Sequence, residues 1–163
     1  MPDGDPRAVI LGADGLAAGD VVAVARHDAP VELGPSAREA LGRGAAVVAV
    51  LVDRPEPVYG VSTGFGALAN TVIPAERSAE LQLALIRSHA AGMGSEVERE
   101  VVRAMMVLRA RSLAMGFSGA RAVVAEAIVG VLNAGVTPVV REHGSLGASG
   151  DLVPLASAAL VLL

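Results

Sequence analysis

The stretch Ser95-Glu96-Val97-Glu98-Arg99-Glu100-Val101-Val102-Arg103-Ala104-Met105-Met106-Val107-Leu108-Arg109-Ala110-Arg111-Ser112-Leu113-Ala114-Met115 sets the fold class. Ser95 followed three residues later by Glu98 has the form of a capping box, in which the hydroxyl accepts from an orphan backbone amide and the carboxylate reaches back. The spacing predicts a long helix to about Met115. Downstream, Gly116 to Gly119 breaks the helix, Ala120 to Asn133 is helical again, and Gly135 with Pro138 turns the chain into a short strand at Val139 and Val140. The glycine-rich run Gly144 to Gly150 follows. Asp151 then stands where an N-cap belongs, with Pro154 in the first turn of a helix still apolar at Leu163.

Upstream, the pattern predicts a strand over Ala8 to Leu11, a helix from about Leu16 to Arg26 and a brief strand from Val31 to Leu33. Pro35 and Ser36 open a helix rich in alanine and valine that runs to Asp53, where Pro55 and Pro57 end it. A glycine-punctuated loop covers residues 58–73, and Pro74 with Ala75 starts a helix that reaches His89 and is stopped by Gly92 and Gly94. The expected fold class is mainly α, with small α/β elements near the start leading into a bundle of long helices. Residues 1–163 read as one region, without repeats or linkers. Leu160-Val161-Leu162-Leu163 has neither a glycine stop nor a basic last turn, so the expectation is a chain truncated inside an apolar helix.

Composition limits the function classes. With 53% hydrophobic residues the chain can build a real core, and its net charge of -4 comes without the Lys/Arg cluster that gives nucleic-acid binders their phosphate affinity. The longest clean apolar stretch, Ala45 to Val52, is too short to span a bilayer, and no basic N-terminal run precedes an apolar one. A soluble protein acting on a small molecule is expected, with no nucleic acid and no membrane as partners. Cysteine is absent, which rules out thiolate chemistry and suits the cytoplasm. All 13 basic residues are arginine, so no residue can form a Schiff base and a pyridoxal phosphate site is excluded within these residues. No histidine spacing matches a metal site, and none is expected.

The most unusual local sequence is Gly144-Ser145-Leu146-Gly147-Ala148-Ser149-Gly150-Asp151. A backbone amide attacks the carbonyl two residues earlier only in a tight turn, and glycine at 150 offers an unhindered nitrogen and the necessary φ freedom. Loss of two waters, one involving the Ser149 hydroxyl, would leave a methylidene-imidazolone ring with an electrophilic exocyclic carbon. The positive end of the helix beginning near Asp151 would favour negative charge on that ring. On spacing alone, an anion-binding helix start or a plain connection fits the same residues.

Two further segments change the weighting. Gly144 through Asp151, continuing Leu152-Val153-Pro154-Leu155-Ala156, closely resembles the prosthetic-group motif of the aromatic amino acid ammonia-lyases. Tyr59-Gly60-Val61-Ser62-Thr63-Gly64-Phe65-Gly66 is similar to that family's tyrosine loop, and Leu81-Gln82-Leu83 leading to Arg87-Ser88-His89-Ala90-Ala91-Gly92 resembles its substrate-selecting helix end. Three motifs in the same order are hard to obtain by chance, and the resemblance runs from about Val9 to Leu163. Ser62 departs from it, standing where many relatives carry asparagine. The chain covers only the N-terminal part of what the family possesses.

The resemblance implies an enzyme that eliminates ammonia from an L-amino acid through a methylidene-imidazolone made autocatalytically from Ala148, Ser149 and Gly150. Tyr59, the only tyrosine in the chain, takes the place of the base that removes a β-proton. A phenol with a reference pKa of ~10 serves as a base near pH 7 only where positive charge or hydrogen bonds stabilise the phenolate. Ser88 and His89 resemble the histidine-specific branch, which implies L-histidine as substrate and urocanate as product; Gly60, Gly64, Gly66, Gly147 and Asp151 support the two loops. A homotetramer is implied for a complete enzyme. The alternatives are a phenylalanine or tyrosine lyase or an aminomutase of the same family, or a structural piece without activity; the 163 residues alone are expected to be inactive. His27 reads as a helix-end surface residue, and His143 as a neighbour of the loop backbone. Gly64-Phe65-Gly66-Ala67-Leu68-Ala69 formally fits a dinucleotide fingerprint, but residues 75–90 read as helix where a second strand would be needed.

Overall fold

A long helix, α4 (Arg99–Ala114), buries one face, with Val102, Arg103, Met106, Val107, Ala110, Leu113 and Ala114 recurring every three or four residues. This computed structural model describes residues 7–12, 14–52, 54–145 and 150–163. Against α4 pack α1 (Ala18–His27) and α5 (Ala122–Asn133), and more lightly α2 (Pro35–Val52). The strands β1 (Val9–Leu11) and β2 (Val31–Leu33) pair in parallel on either side of α1 in sequence, with Val9, Leu11, Val31 and Leu33 buried. The side chain of Asn133 prolongs this small sheet, because its amide accepts from Val31 N–H and donates to Val31 C=O, both at 2.9 Å.

The core holds a charge. Arg103 is 1% exposed, and its guanidinium donates to the Val24 and Leu132 carbonyls at 3.1 Å each and pairs with Asp28 at 3.0 Å. Those three oxygens lie on α1, at the end of α5 and just past the end of α1, so one side chain ties three helices together. Burial pushes the Arg103 pKa down from its usual value, and Asp28 opposes that shift. Asp28 itself sits in the left-handed region at φ 54° and also accepts from Arg99 at 2.6 Å. Helix α2 approaches the turn after α4 closely: a Cβ at Gly44 would lie 2.2 Å from the Gly116 carbonyl oxygen, so only glycine fits there.

The second half holds α3 (Ser78–His89), β3 (Met93–Glu96), β4 (Arg141–His143) and α6 (Leu152–Ala159), with 3₁₀ turns at Gly66–Leu68, Ala75–Arg77 and Leu160–Leu162. β3 and β4 pair antiparallel, Met93 opposite His143 and Glu96 opposite Arg141. Among the described residues no helix is long and apolar enough to cross a membrane.

The expected elements are present with three corrections. The capping box at Ser95 does not form: Ser95 lies within β3, and Glu98 takes the N-cap position of α4 without a side-chain cap bond. Gly94, at φ 88°, turns the chain so that Ser95 and Glu96 follow β4 instead of entering the helix. The strand expected at Val139 and Val140 lies one step later, because Val140 is buried and gives its carbonyl to Val97 N–H while Arg141 begins the pairing. Asp151 does occupy the N-cap position of α6, yet its carboxylate accepts from the Ser145 hydroxyl rather than from a helix amide.

Replacing Arg103 by leucine takes the side-chain donor from the Val24 carbonyl, at about 1–3 kcal/mol, and leaves the Leu132 carbonyl with the Gly135 N–H at 3.1 Å. The urea midpoint of Arg103→Leu should therefore fall by an amount equivalent to about 1–3 kcal/mol, and Arg103→Lys should recover little, since a point charge cannot reach three separated oxygens. An unchanged midpoint would show that Arg103 does not tie the helices. The Arg99 hydrogen bond, followed by the Arg103 and Arg99 charges, holds the Asp28 carboxyl below its ordinary value. Its contribution is complete above the unfolded carboxylate value of ~3.9 and is lost as pH falls through the lower folded value. Asp28→Asn should flatten the acid limb of stability against pH below about pH 4, measured by thermal melts across that range; an acid limb of unchanged steepness would contradict this.

Candidate active site

The tyrosine loop is a chain of short local bonds. Val58 N–H donates to the Ser62 hydroxyl at 2.9 Å, Gly60 N–H to the Thr63 hydroxyl at 3.2 Å, and the Thr63 hydroxyl to the Gly64 carbonyl at 3.0 Å. Thr63 is 2% exposed and bridges to Val72, which closes the loop at its base. Gly60 and Gly66 both have left-handed φ, and a Cβ at Gly60 would press 2.9 Å from the Phe65 ring. The result presents Tyr59 outward, 63% exposed, edge-on to Phe65 with ring centres 6.0 Å apart. Its phenol oxygen accepts from Gly66 N–H at 3.3 Å. Ser62, the departure from the family pattern, is thus an internal acceptor of the loop.

His89 is the last residue of α3. Its Nδ1 lies 2.9 Å from the Leu85 carbonyl oxygen, and the Ser88 hydroxyl donates to that same oxygen at 2.9 Å. The chain then enters β3, whose pairing with β4 sets the end of α3 beside the start of the glycine-rich loop. Two glycines make room: a Cβ at Gly92 would come 3.0 Å from the Arg141 Cβ, and one at Gly144 would come 2.5 Å from Val153 Cγ1 on α6. His143 lies with its ring against Gly94. His27 ends α1, exposed, as expected.

Of the ring-forming tripeptide, Ala148 and Ser149 lie outside the described residues, as does Gly147. Gly150 is at φ 98° with open space where a Cβ would be. That leaves its nitrogen flanked by no side chain of its own, and Asp151, holding Ser145, anchors the far end of the loop at the start of α6. The residue order Ala-Ser-Gly and the glycine conformation both fit a methylidene-imidazolone.

The three motifs meet on a cavity of about 890 Å³ between α3, α4, α5 and α6. Tyr59 and Gly66 from the first, His89 from the second, and Leu152 and Leu155 from the third all line it. The remaining walls are largely apolar. Among the described residues, Arg109 is the only one in the lining with a permanent charge. Gly60, Gly64, Ser88 and Asp151 are not in the lining. Sequence reasoning missed Thr63 as the base of the tyrosine loop, and missed Met105 and Arg109, whose i,i+4 spacing on α4 puts both on the cavity wall. Among the described residues no group of three or more His, Asp or Glu is placed to hold a metal ion.

The histidine ammonia-lyase of Streptomyces griseus is 58% identical over 155 residues, 95% of this chain and 30% of that protein. The crystal structure of histidine ammonia-lyase from Trypanosoma cruzi superposes with a TM-score of 0.85 at 36% identity, over 96% of this chain and 29% of that one. The ergothioneine degrading enzyme Ergothionase from Treponema denticola superposes with a TM-score of 0.90 at 27% identity, over 94% and 31%. The chain spans about 30% of the length of its curated relatives. Since the model of the aromatic amino acid lyases matches residues 16–163, the chain belongs to that family.

Proposed function

We propose that this chain supplies part of the active site of a histidine ammonia-lyase, which removes ammonia from L-histidine to give urocanate. The observation that carries the proposal is the convergence of Tyr59, His89 and the start of α6 on one cavity. The 58% identity to a histidine ammonia-lyase supports histidine over the phenylalanine and tyrosine alternatives.

The ring formed from Ala148, Ser149 and Gly150 would supply an electrophilic carbon that activates the amino acid toward loss of ammonia. Every other task falls to ordinary side chains. Tyr59, as phenolate, takes the β-proton of the bound amino acid on its phenol oxygen, and the Gly66 N–H at 3.3 Å is one donor placed to stabilise that oxygen. His89 meets the imidazole of the substrate, beside largely apolar walls that offer that ring few other polar partners. Loss of the β-proton and of ammonia leaves the carbon–carbon double bond of urocanate, so atoms balance without an oxidant. Gly60, Gly64 and Gly66 hold the tyrosine loop, and Gly147 and Asp151 frame the ring-forming turn.

The proposal extends to the whole protein. Residues 1–163 would act as one N-terminal lyase region in a cytoplasmic homotetramer. Val47, Val50 and Phe117 are 60%, 64% and 87% exposed, which supports burial against further polypeptide.

In a version extended to the length of the relatives, Ser149→Ala should lose nearly all turnover, because alanine has no hydroxyl to eliminate. Tyr59→Phe should lower kcat by about 10²–10⁴, the usual worth of a positioned general base. Near-normal urocanate production by either variant would remove that residue from the mechanism. His89→Leu should cut the histidine-over-phenylalanine ratio of kcat/KM by at least about tenfold, since leucine leaves the substrate imidazole unpaired in an apolar site. An unchanged ratio would remove His89 as the selector.

A further inference from the structure

A neutral imidazole exists as two tautomers, and the hydrogen bond made by one nitrogen decides which is present. Nδ1 of His89 lies 2.9 Å from the Leu85 carbonyl oxygen. A carbonyl only accepts, so this contact requires the proton to be on Nδ1. The Ser88 hydroxyl has its own proton committed to the same carbonyl at 2.9 Å, and its oxygen lies 3.1 Å from Nδ1. The serine oxygen is therefore a second acceptor for the Nδ1–H, not a donor to it. Among the described residues Nε2 has no partner.

We infer that the Leu85 carbonyl and the Ser88 hydroxyl hold His89 in the Nδ1–H tautomer, making Nε2 a hydrogen-bond acceptor at the cavity, so that the site selects an amino acid whose ring presents an N–H. This deepens the histidine ammonia-lyase function proposed above and rests on it. A phenyl ring offers Nε2 nothing, and in an apolar cavity an acceptor without a donor is costly. An imidazole satisfies it with a ring N–H. Ser88 is a positioning residue: it is absent from the cavity lining and acts only through His89. Leu85 contributes its backbone oxygen, so substituting its side chain does not remove the contact, and Ser88 is the group open to mutation.

The test is nitrogen-15 NMR of the protein labelled at histidine, recorded well above the reference imidazole pKa of ~6.5. Only three histidines contribute, and the His89 signals are assigned by their loss in His89→Asn. The expected spectrum has a protonated Nδ1 and an unprotonated Nε2 at His89; a protonated Nε2 would overturn the inference. In the extended enzyme, Ser88→Ala should raise KM for histidine about threefold to tenfold, the worth of one hydrogen bond, with kcat nearly unchanged. Ser88→Thr should restore KM. Equal KM in serine and alanine forms would strike Ser88 from the inference. Urocanate formation by the unsubstituted extended enzyme separates the two levels. Its absence would overturn the proposed function and the tautomer inference with it, whereas a protonated Nε2 in an enzyme that makes urocanate would overturn the tautomer inference alone.

Discussion

A guanidinium with 1% exposure is tolerable only where every direction it points meets an oxygen, and Arg103 meets three. The Val24 and Leu132 carbonyls lie at or near helix ends, where the helix leaves backbone oxygens without internal partners. Burying the charge thus gives the Val24 carbonyl a donor and the Leu132 carbonyl a second one beside the Gly135 N–H. Asp28 is half exposed and completes the charge balance from the edge, tuned by Arg99. The geometry of α1, α4 and α5 follows from this point. The cavity wall on α4, at Met105, Met106 and Arg109 within the next two turns, inherits its position from it.

The site depends on a second constraint, the short β3–β4 ladder. It joins the end of α3, where Ser88 and His89 lie, to the entry of the glycine-rich loop, although roughly fifty residues separate them in sequence. Gly92 and Gly144 let the ladder and α6 approach without a side chain between them. Rigid elements therefore carry His89 and the start of α6, whereas Tyr59 rides on a loop closed by Thr63. Such a division suits a site in which a selector is fixed and a base is presented from a turn.

Much of this was legible in the sequence. The helices announce themselves through length and through proline and glycine at their ends: Pro35 opens α2, and Gly116 follows α4. The three candidate motifs stand out because glycines cluster where chains must turn tightly. What was hidden is what depends on distant partners. Ser95 and Glu98 satisfy a local rule for a helix start, but pairing with Arg141 and His143 outcompetes it, and no local pattern in Met93–Glu96 signals a strand. Arg103 reads like any charged residue of an exposed helix face, since nothing near it in sequence reveals the carbonyls that receive it. The Leu85 contact to His89 is made by a backbone atom, on which sequence is silent.

The central claim is that Ala148, Ser149 and Gly150 of the complete enzyme become an electrophile beside Tyr59 and His89. The most direct test is the mass of the tryptic peptide beginning at Glu142 in the extended protein, since Arg141 is the last cleavage point before the loop. The account predicts a peptide lighter than its sequence by two water molecules. A peptide at its full sequence mass would contradict it.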